Sequence, residues 1–400
     1  MSKFNWPLGT LPFTFLDKLK ISKWLFTENY WSAGKWIASY EKTWSDYTKA
    51  PHVIMVSSGS SANELIALRR KWELESSGEW GAKNTVLVPI TTWISSVSPW
   101  DYVGFKIKFT DIEDNLNMGL SRMSQALDLD ASIGTVFYTT LLGHAGDIEA
   151  MKAECDKRGV RFLLDNCESS FSETRQQHFC NVATSSTSIF VSHFTTSGTE
   201  GGLIFCQKQE EADWYRMMRS HGMTRGMDPK YRNPNVEEMF DFYLMGSNYR
   251  SSNLQAYMAS LDFHRALKFS DERQNIQNAF FRTLAENIEY GKSSKYSLCH
   301  WSTPNAKGFV PLSIPIVSNI AERDESLIDR VKNYCKNNGV QYRQIVGGNL
   351  ARQTAFKKFN LNPKDFYYAD WVHRNGIYVG LNQEISVDMA IKLAQDLTKL

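Results

Sequence analysis

Apolar residues in this chain come in short blocks separated by stretches of mixed character. From about residue 53, HVIMV precedes SSANELIALRRKWE, NTVLVP precedes TTWISSVSPW, and FKIKFTDI precedes GLSRMSQAL. TVFYT then precedes DIEAMKAECDKRG, and VRFLLD, TSIFVS and GLIFCQ follow. Short β-branched and aromatic runs between helix-like stretches predict an α/β fold, a mainly parallel sheet covered by helices on both faces. Ligands of such sheets sit beyond the carboxyl ends of the strands. That singles out Ser57, Trp93, Asp165 and His193, each at or just past a predicted strand end.

Further on, RGMDPKYRNPNVEEMF is polar and holds Pro229 and Pro234, so it reads as a long loop. SSNLQAYMASLDFHRAL starts a helical region leading into a second lobe. There FVPLSIPIV and GIYVGL read as strands, and DESLIDRVKNYCKNNG and SVDMAIKLAQDLTKL as helices. The division is expected near residue 255, with the N-terminal segment and large domain over 1–255 and a small C-terminal domain over 256–400. There is no internal repeat.

The 400 residues can bury a sizeable core, and a formal charge of +2 implies no nucleic-acid or membrane partner. Six scattered cysteines without a CxxC pair argue against zinc or a disulfide framework and fit a reducing compartment. Pro7, Pro12, Asp17 and lysines interrupt the apolar residues of the N-terminus, so no signal peptide is expected. No run is long enough to span a bilayer, and a cytoplasmic location is the expectation. DIEDNLNMG is acidic enough to suggest calcium, but Leu116 at the turn position and Arg122 at the twelfth break the loop rule.

Chemistry concentrates at the strand ends. SSGSSAN, from Ser57, follows a strand and opens a helix, where free N–H groups can seat a phosphate; an ordinary serine N-cap reads the same way. Trp93 could stack on a flat ring or fill core. Asp165 could cap a turn, or hold the protonated ring nitrogen of a pyridoxal cofactor. A lone histidine such as His193 is more often structural than catalytic. The conjunction of phosphate seat, aromatic, aspartate, Ser188 and a base, each at a strand end and in that order, is far more specific than its parts.

With these residues the chain resembles the vitamin B6-dependent sugar aminotransferase family of aspartate-aminotransferase fold, in particular its dehydratase branch. The similarity is carried by MVSSGSSAN, VPITTW, KFTDIEDNLNM, LLGHAGDIEAM, LLDNCESS, SHFTTSGTEGG, RSHGMTR, GSNYRSSNLQA and YRQIVGGN. It implies a fold-type I transferase, with a large domain of mainly parallel mixed sheet and a smaller α+β domain. In that branch histidine replaces the lysine that normally tethers the cofactor. The resemblance implies that Ser57, Ser58 and Gly59 seat the phosphate with Ser188 and with Asn248 from a partner subunit. Trp93 would stack on the pyridine ring, Asp165 bind its nitrogen, Glu168 and Ser192 lie nearby, and His193 act as the base. His221, Arg250 and Arg343 would handle the substrate or the carboxylate of an amino donor. The implied reaction is loss of the C3 hydroxyl from a 4-keto-6-deoxy nucleotide sugar. It would use pyridoxamine 5′-phosphate (PMP), with an aminotransferase half-reaction from a donor such as glutamate, in a homodimer.

One departure stands out. The usual pattern places the catalytic residue six positions before the Glu of EGG, whereas His193 lies seven before Glu200 and ungapped counting selects Phe194. Ser197-Gly198 is read as absorbing the extra residue. Iron–sulfur dehydratases of the broad family have a similar loop but need four cysteines in the second half of the chain. Beyond Cys206 only Cys299 and Cys335 remain, so no iron–sulfur cluster is expected. Two rival readings stay open: another untethered PMP-dependent enzyme, aminotransferase-like in its chemistry, and a cofactor-binding protein that has lost catalysis.

Overall fold

The computed structural model describes residues 3–10, 13–288, 294–298 and 308–400; Cys299 lies outside the described residues. Seven strands make the large sheet: β1 (His52–Val56), β2 (Thr85–Pro89), β3 (Lys106–Thr110), β4 (Ile133–Thr139), β5 (Arg161–Asp165), β6 (Ser185–Ser188) and β7 (Gly202–Cys206). Their order is β1-β7-β6-β5-β4-β2-β3. β2 and β4 are buried at every position, as strands covered on both faces must be. β3, at the edge, alternates exposed and half-buried positions, with Lys106 and Lys108 guarding the unpaired rim.

The strands from β3 to β6 are parallel to their neighbours, whereas β7 runs antiparallel to both β1 and β6. This reversal matters for chemistry. A parallel step from β6 to β7 would need a crossover helix; an antiparallel one lets the chain turn back at the same edge. Residues 189–201 therefore stay at the carboxyl end of the sheet, with His193 among them. The predicted run TSIFVS is cut short after Ser188: the Phe190 N–H bonds the Ser188 hydroxyl at 3.2 Å instead of a neighbouring strand.

The smaller sheet has the order β8-β10-β9, with β8 (Ser313–Val317), β9 (Tyr342–Gln344) and β10 (Gly376–Gly380), all antiparallel. Its core holds Phe280, Phe281, Val331 and Leu393. The first described residues pack there too: Trp6 is fully buried and its indole N–H bonds the Gly380 carbonyl at 2.8 Å. A helix of 34 residues, Asn253–Glu286, runs through the expected division and serves both lobes. Ser252 and Gln255 start it with a reciprocal capping box. The loop expected from Arg225 contains only the two short 3₁₀ turns Pro229–Tyr231 and Glu238–Phe240. Among the described residues, no helix is long and apolar enough to cross a membrane.

Candidate active site

The carboxyl ends of β4, β5 and β6 and the start of the helix Gly59–Ser76 enclose a cavity of about 330 Å³. Of the residues singled out in the sequence, Ser58, Gly59, Trp93, Asp165 and Glu168 line it. So do Ser188, Ser192, His193 and, from the second lobe, Arg343. Among the described residues, no lysine lines it.

One wall is the N-terminus of an 18-residue helix. Ser58 caps it: its hydroxyl accepts the Ser61 N–H at 3.0 Å, while the Ser61 hydroxyl accepts the Ser58 N–H at 2.8 Å. A Cβ on Gly59 would lie 2.9 Å from the Ser188 Cβ and 3.0 Å from the Cys167 Sγ, so the first turn can approach the end of β6 only as glycine. Free N–H groups and the positive end of the helix dipole then face the cavity. Ser57 stands one step back, outside the cavity lining, with its hydroxyl 2.9 Å from that of Ser61.

Asp165 ends β5 and is almost fully buried. Its Oδ2 accepts from the Ser96 hydroxyl at 2.6 Å and the Asn63 amide at 2.8 Å, and its Oδ1 accepts the Cys167 N–H at 3.2 Å. These donors fix the orientation of the carboxylate at the end of β5. Trp93 follows β2 and leaves its indole 56 % exposed beside the cavity, the opposite of a core-filling side chain. Burial, with the Asp165 charge beside it, pushes the Cys167 thiol up, so that side chain is an uncharged wall.

His193 reaches the cavity from a tight turn in which its N–H bonds the Phe190 carbonyl at 2.9 Å. Its Nδ1 is buried without a hydrogen-bond partner. Burial lowers its pKa to about 4, Asp165 opposing the shift, so the imidazole is neutral near pH 7 and able to accept a proton. Phe194 turns the other way. It is buried in the core, 5.9 Å edge-to-face from Phe171 and 5.0 Å beneath the Arg273 guanidinium. Of the two register choices, His193 is the one that faces the cavity.

Glu168 accepts the Leu142 N–H at 2.6 Å, and Leu142 takes a left-handed backbone (φ 53°) to deliver it. Burial, with the Asp165 charge nearby, raises Glu168 to about 7. A neutral imidazole and a carboxyl that can exchange its proton near neutral pH thus share one cavity, a pairing suited to acid–base chemistry.

Three expected residues lie elsewhere. His221 and Arg250 line a second, cation-rich basin of about 530 Å³ with Arg216, Arg219 and Arg225. Asn248 borders it, pairing with Ser220 in a one-residue bridge and accepting the Arg250 N–H at 3.2 Å. Sequence reasoning missed Asn63 and Ser96, which orient Asp165, as well as Ser60, exposed in the first turn of the cavity helix, and Tyr378. Tyr378 faces Arg343 across the β10–β9 ladder. Ser60 and Asn63 both sat in the SSGSSAN stretch already under scrutiny, and Ser96 and Tyr378 in quoted runs, but nothing local in those runs said which side chains would reach the cavity or Asp165.

Residues 17–398 match the DegT/DnrJ/EryC1/StrS aminotransferase family. The chain belongs to that family. Among curated relatives it is similar to GDP-4-keto-6-deoxy-D-mannose 3-dehydratase of Escherichia coli O55:H7, with 26 % identity over 95 % of this chain and 96 % of the relative. The protein of the same name from Yersinia pseudotuberculosis is 24 % identical over 97 % of this chain and 96 % of its own. The solved E. coli dehydratase with bound hydrated PLP superposes with a TM-score of 0.83 at 21 % identity, covering 98 % of this chain and 99 % of that one. The architecture is that of the fold-type I transferases to which the DegT/DnrJ/EryC1/StrS family belongs.

Proposed function

We propose that this protein is a PMP-dependent lyase that removes the C3 hydroxyl of a 4-keto-6-deoxy nucleotide sugar, with the cofactor held without a covalent tether. One observation carries the reading: a half-buried imidazole, neutral down to about pH 4, stands on a cavity floor where no lysine is present among the described residues. No lysine occurs anywhere from Arg158 to Gln207. The similar dehydratases act, by name, on GDP-4-keto-6-deoxy-D-mannose, and one of them was solved with GDP-perosamine bound.

The residues fit such a cofactor. A helix N-terminus that tolerates only glycine at Gly59 suits a phosphate, the Asp165 carboxylate suits a ring nitrogen, and the open Trp93 indole suits a stacked ring. The bound cofactor supplies the electron sink that lets a proton leave carbon.

This chain does the rest. Ser58, Gly59, Ser60 and Ser188 hold the phosphate, and Asp165 keeps the ring nitrogen protonated. His193 takes the proton from the cofactor's C4′ carbon and then protonates the departing C3 hydroxyl, so that water leaves. Glu168, raised to about 7, can exchange a proton beside the ring. Lysine at position 193 would compete for the carbon that the cofactor must keep free. With the cofactor bound, the products would be ammonia and a 3-deoxy-4-keto sugar, and an amino acid such as glutamate would return the amine to the cofactor. Arg343, at the cavity, recognises substrate or donor anions. The active unit is a cytoplasmic homodimer in which Asn248 of one chain completes the phosphate seat of the other.

The test is turnover of 4-keto-6-deoxy sugars carrying guanosine, thymidine or uridine diphosphate, with PMP and glutamate. Ammonia and a 3-deoxy product are expected. A stable 4-amino sugar without ammonia would make the protein an aminotransferase. Failure of glutamate to convert pyridoxal phosphate to PMP would remove the catalytic reading.

A further inference from the structure

His193 sits on a loop whose turns are largely closed on themselves: Ser197 N–H bonds the Ile189 carbonyl at 3.1 Å, and Gly198 N–H bonds the Thr196 hydroxyl at 2.8 Å. Such a loop has the right shape but needs fixing to the scaffold. The long helix Asn253–Glu286 runs behind it like a rail. Gln255 donates to the Glu200 carbonyl at 2.7 Å, and a Cβ on Gly198 would meet Met258 at 2.9 Å. Asp262, one turn further on, accepts the Thr196 N–H at 3.0 Å. Arg273 covers Phe194 from above. Asp262, Arg273, Thr196 and His193 together line a small polar cleft that adjoins the main cavity through Ser192, His193 and Leu312.

Asp262 is an unusual residue for that place. It is 1 % exposed and, among the described residues, its Oδ1 has no hydrogen-bond partner; the Arg265 guanidinium stands 3.6 Å away. Arg265 is itself drawn to Asp17 at 2.6 Å, in the first turn of the N-terminal helix Phe15–Thr27. Tyr40 and Arg273 are the other ionisable groups that feel its charge. Burial raises its pKa to about 6. A side chain that is costly to bury and meets only one strong donor is poorly explained by stability alone.

We propose that Asp262 is a positioning residue for His193: by holding the Thr196 N–H it fixes the segment that aims the imidazole into the cavity. This rests on His193 being the base. Misplacing a reacting group by about 1 Å costs on the order of a hundredfold in rate. Asp262→Ala therefore lowers kcat about 10- to 100-fold, with KM and PMP affinity changed by less than about threefold. Asp262→Asn, whose amide oxygen still accepts the Thr196 N–H, recovers most of the loss.

Two measurements test this. In cofactor-free protein, hydrogen–deuterium exchange of the peptide covering 190–200 speeds up in Asp262→Ala and not in Asp262→Asn. In a His193→Asn background, Asp262→Ala lowers turnover no further, because residues that act as a unit are not additive. Wild-type exchange of that peptide in Asp262→Ala, or an equal loss of rate with and without His193, overturns the proposal. If His193→Asn alone turns over at the wild-type rate, the function reading fails instead, and exchange still reports on the Asp262–Thr196 link. Should the alanine variant not fold, the asparagine variant decides: it must keep wild-type exchange and most of kcat.

Discussion

Replacing His193 by Asn separates catalysis from folding in a way the structure quantifies. The Nδ1 of His193 has no partner, so the substitution forfeits no side-chain hydrogen bond, and the side chain is only half-buried. The expected cost in stability is under about 1 kcal/mol. Losing the general base should slow dehydration by roughly 10²–10⁴, which is about 2.7–5.4 kcal/mol on the barrier. Phe194→Leu is the mirror experiment. It keeps most of the apolar volume but loses the edge contact with Phe171 and the Arg273 cation over the ring, at a cost of about 1–3 kcal/mol. No proton carrier is removed, so turnover per folded molecule should fall less than about tenfold. The assay is ammonia release from the accepted 4-keto sugar, with urea unfolding run on the same preparations. If His193→Asn dehydrates at the wild-type rate, or if Phe194→Leu is the slower variant, the assignment of the base is wrong.

Borohydride added to protein loaded with pyridoxal phosphate should leave the peptides spanning Arg158 to Gln207 unmodified, since they contain no lysine; mass spectrometry reads this directly. On the proposed homodimer, mixing Asn248→Ala with His193→Asn should restore about a quarter of wild-type activity, because each mixed C2 dimer would regain one intact site; no recovery would mean that Asn248 serves its own chain. Asp165→Asn presents an NH₂ where the carboxylate now accepts from Asn63, Ser96 and the Cys167 N–H. It should weaken PMP binding tenfold or more, about 1.4 kcal/mol or more, by equilibrium dialysis. The His193 pKa is lowered on folding, so the unfolded chain takes up the proton that the native one refuses. This contribution is fully present above about pH 6.5 and is lost as pH falls to about 4, at up to about 1.4 kcal/mol per unit. Urea midpoints of cofactor-free protein should drop over that window, and less steeply in His193→Asn.

Much of the site was legible because it is local. A strand end followed by a helix start marks a candidate anion seat within seven residues, and Asp165 closes an apolar run whose direction the pattern already implies, whereas Ser188 closes the polar strand Ser185–Ser188. The apolar blocks also marked the buried parallel strands, since a strand covered on both faces can hold little else. What the one-dimensional pattern lacks is any measure of which distant segments meet. The strand Tyr342–Gln344 is half-buried to exposed and three residues long, so nothing marked it, yet it brings Arg343 opposite Tyr378 at the cavity rim. Asn63 and Ser96 reach Asp165 across 102 and 69 residues, and Asp262 reaches Thr196 across 66. The choice between His193 and Phe194 depended on the same kind of information. Counting positions favours Phe194, but a phenyl ring gains more from burial against Phe171 and Arg273 than an imidazole would, and the antiparallel return of β7 supplies the turn. Sequence determined the chemistry available at each strand end; only the packing of the core decided which side chain was left facing the cavity.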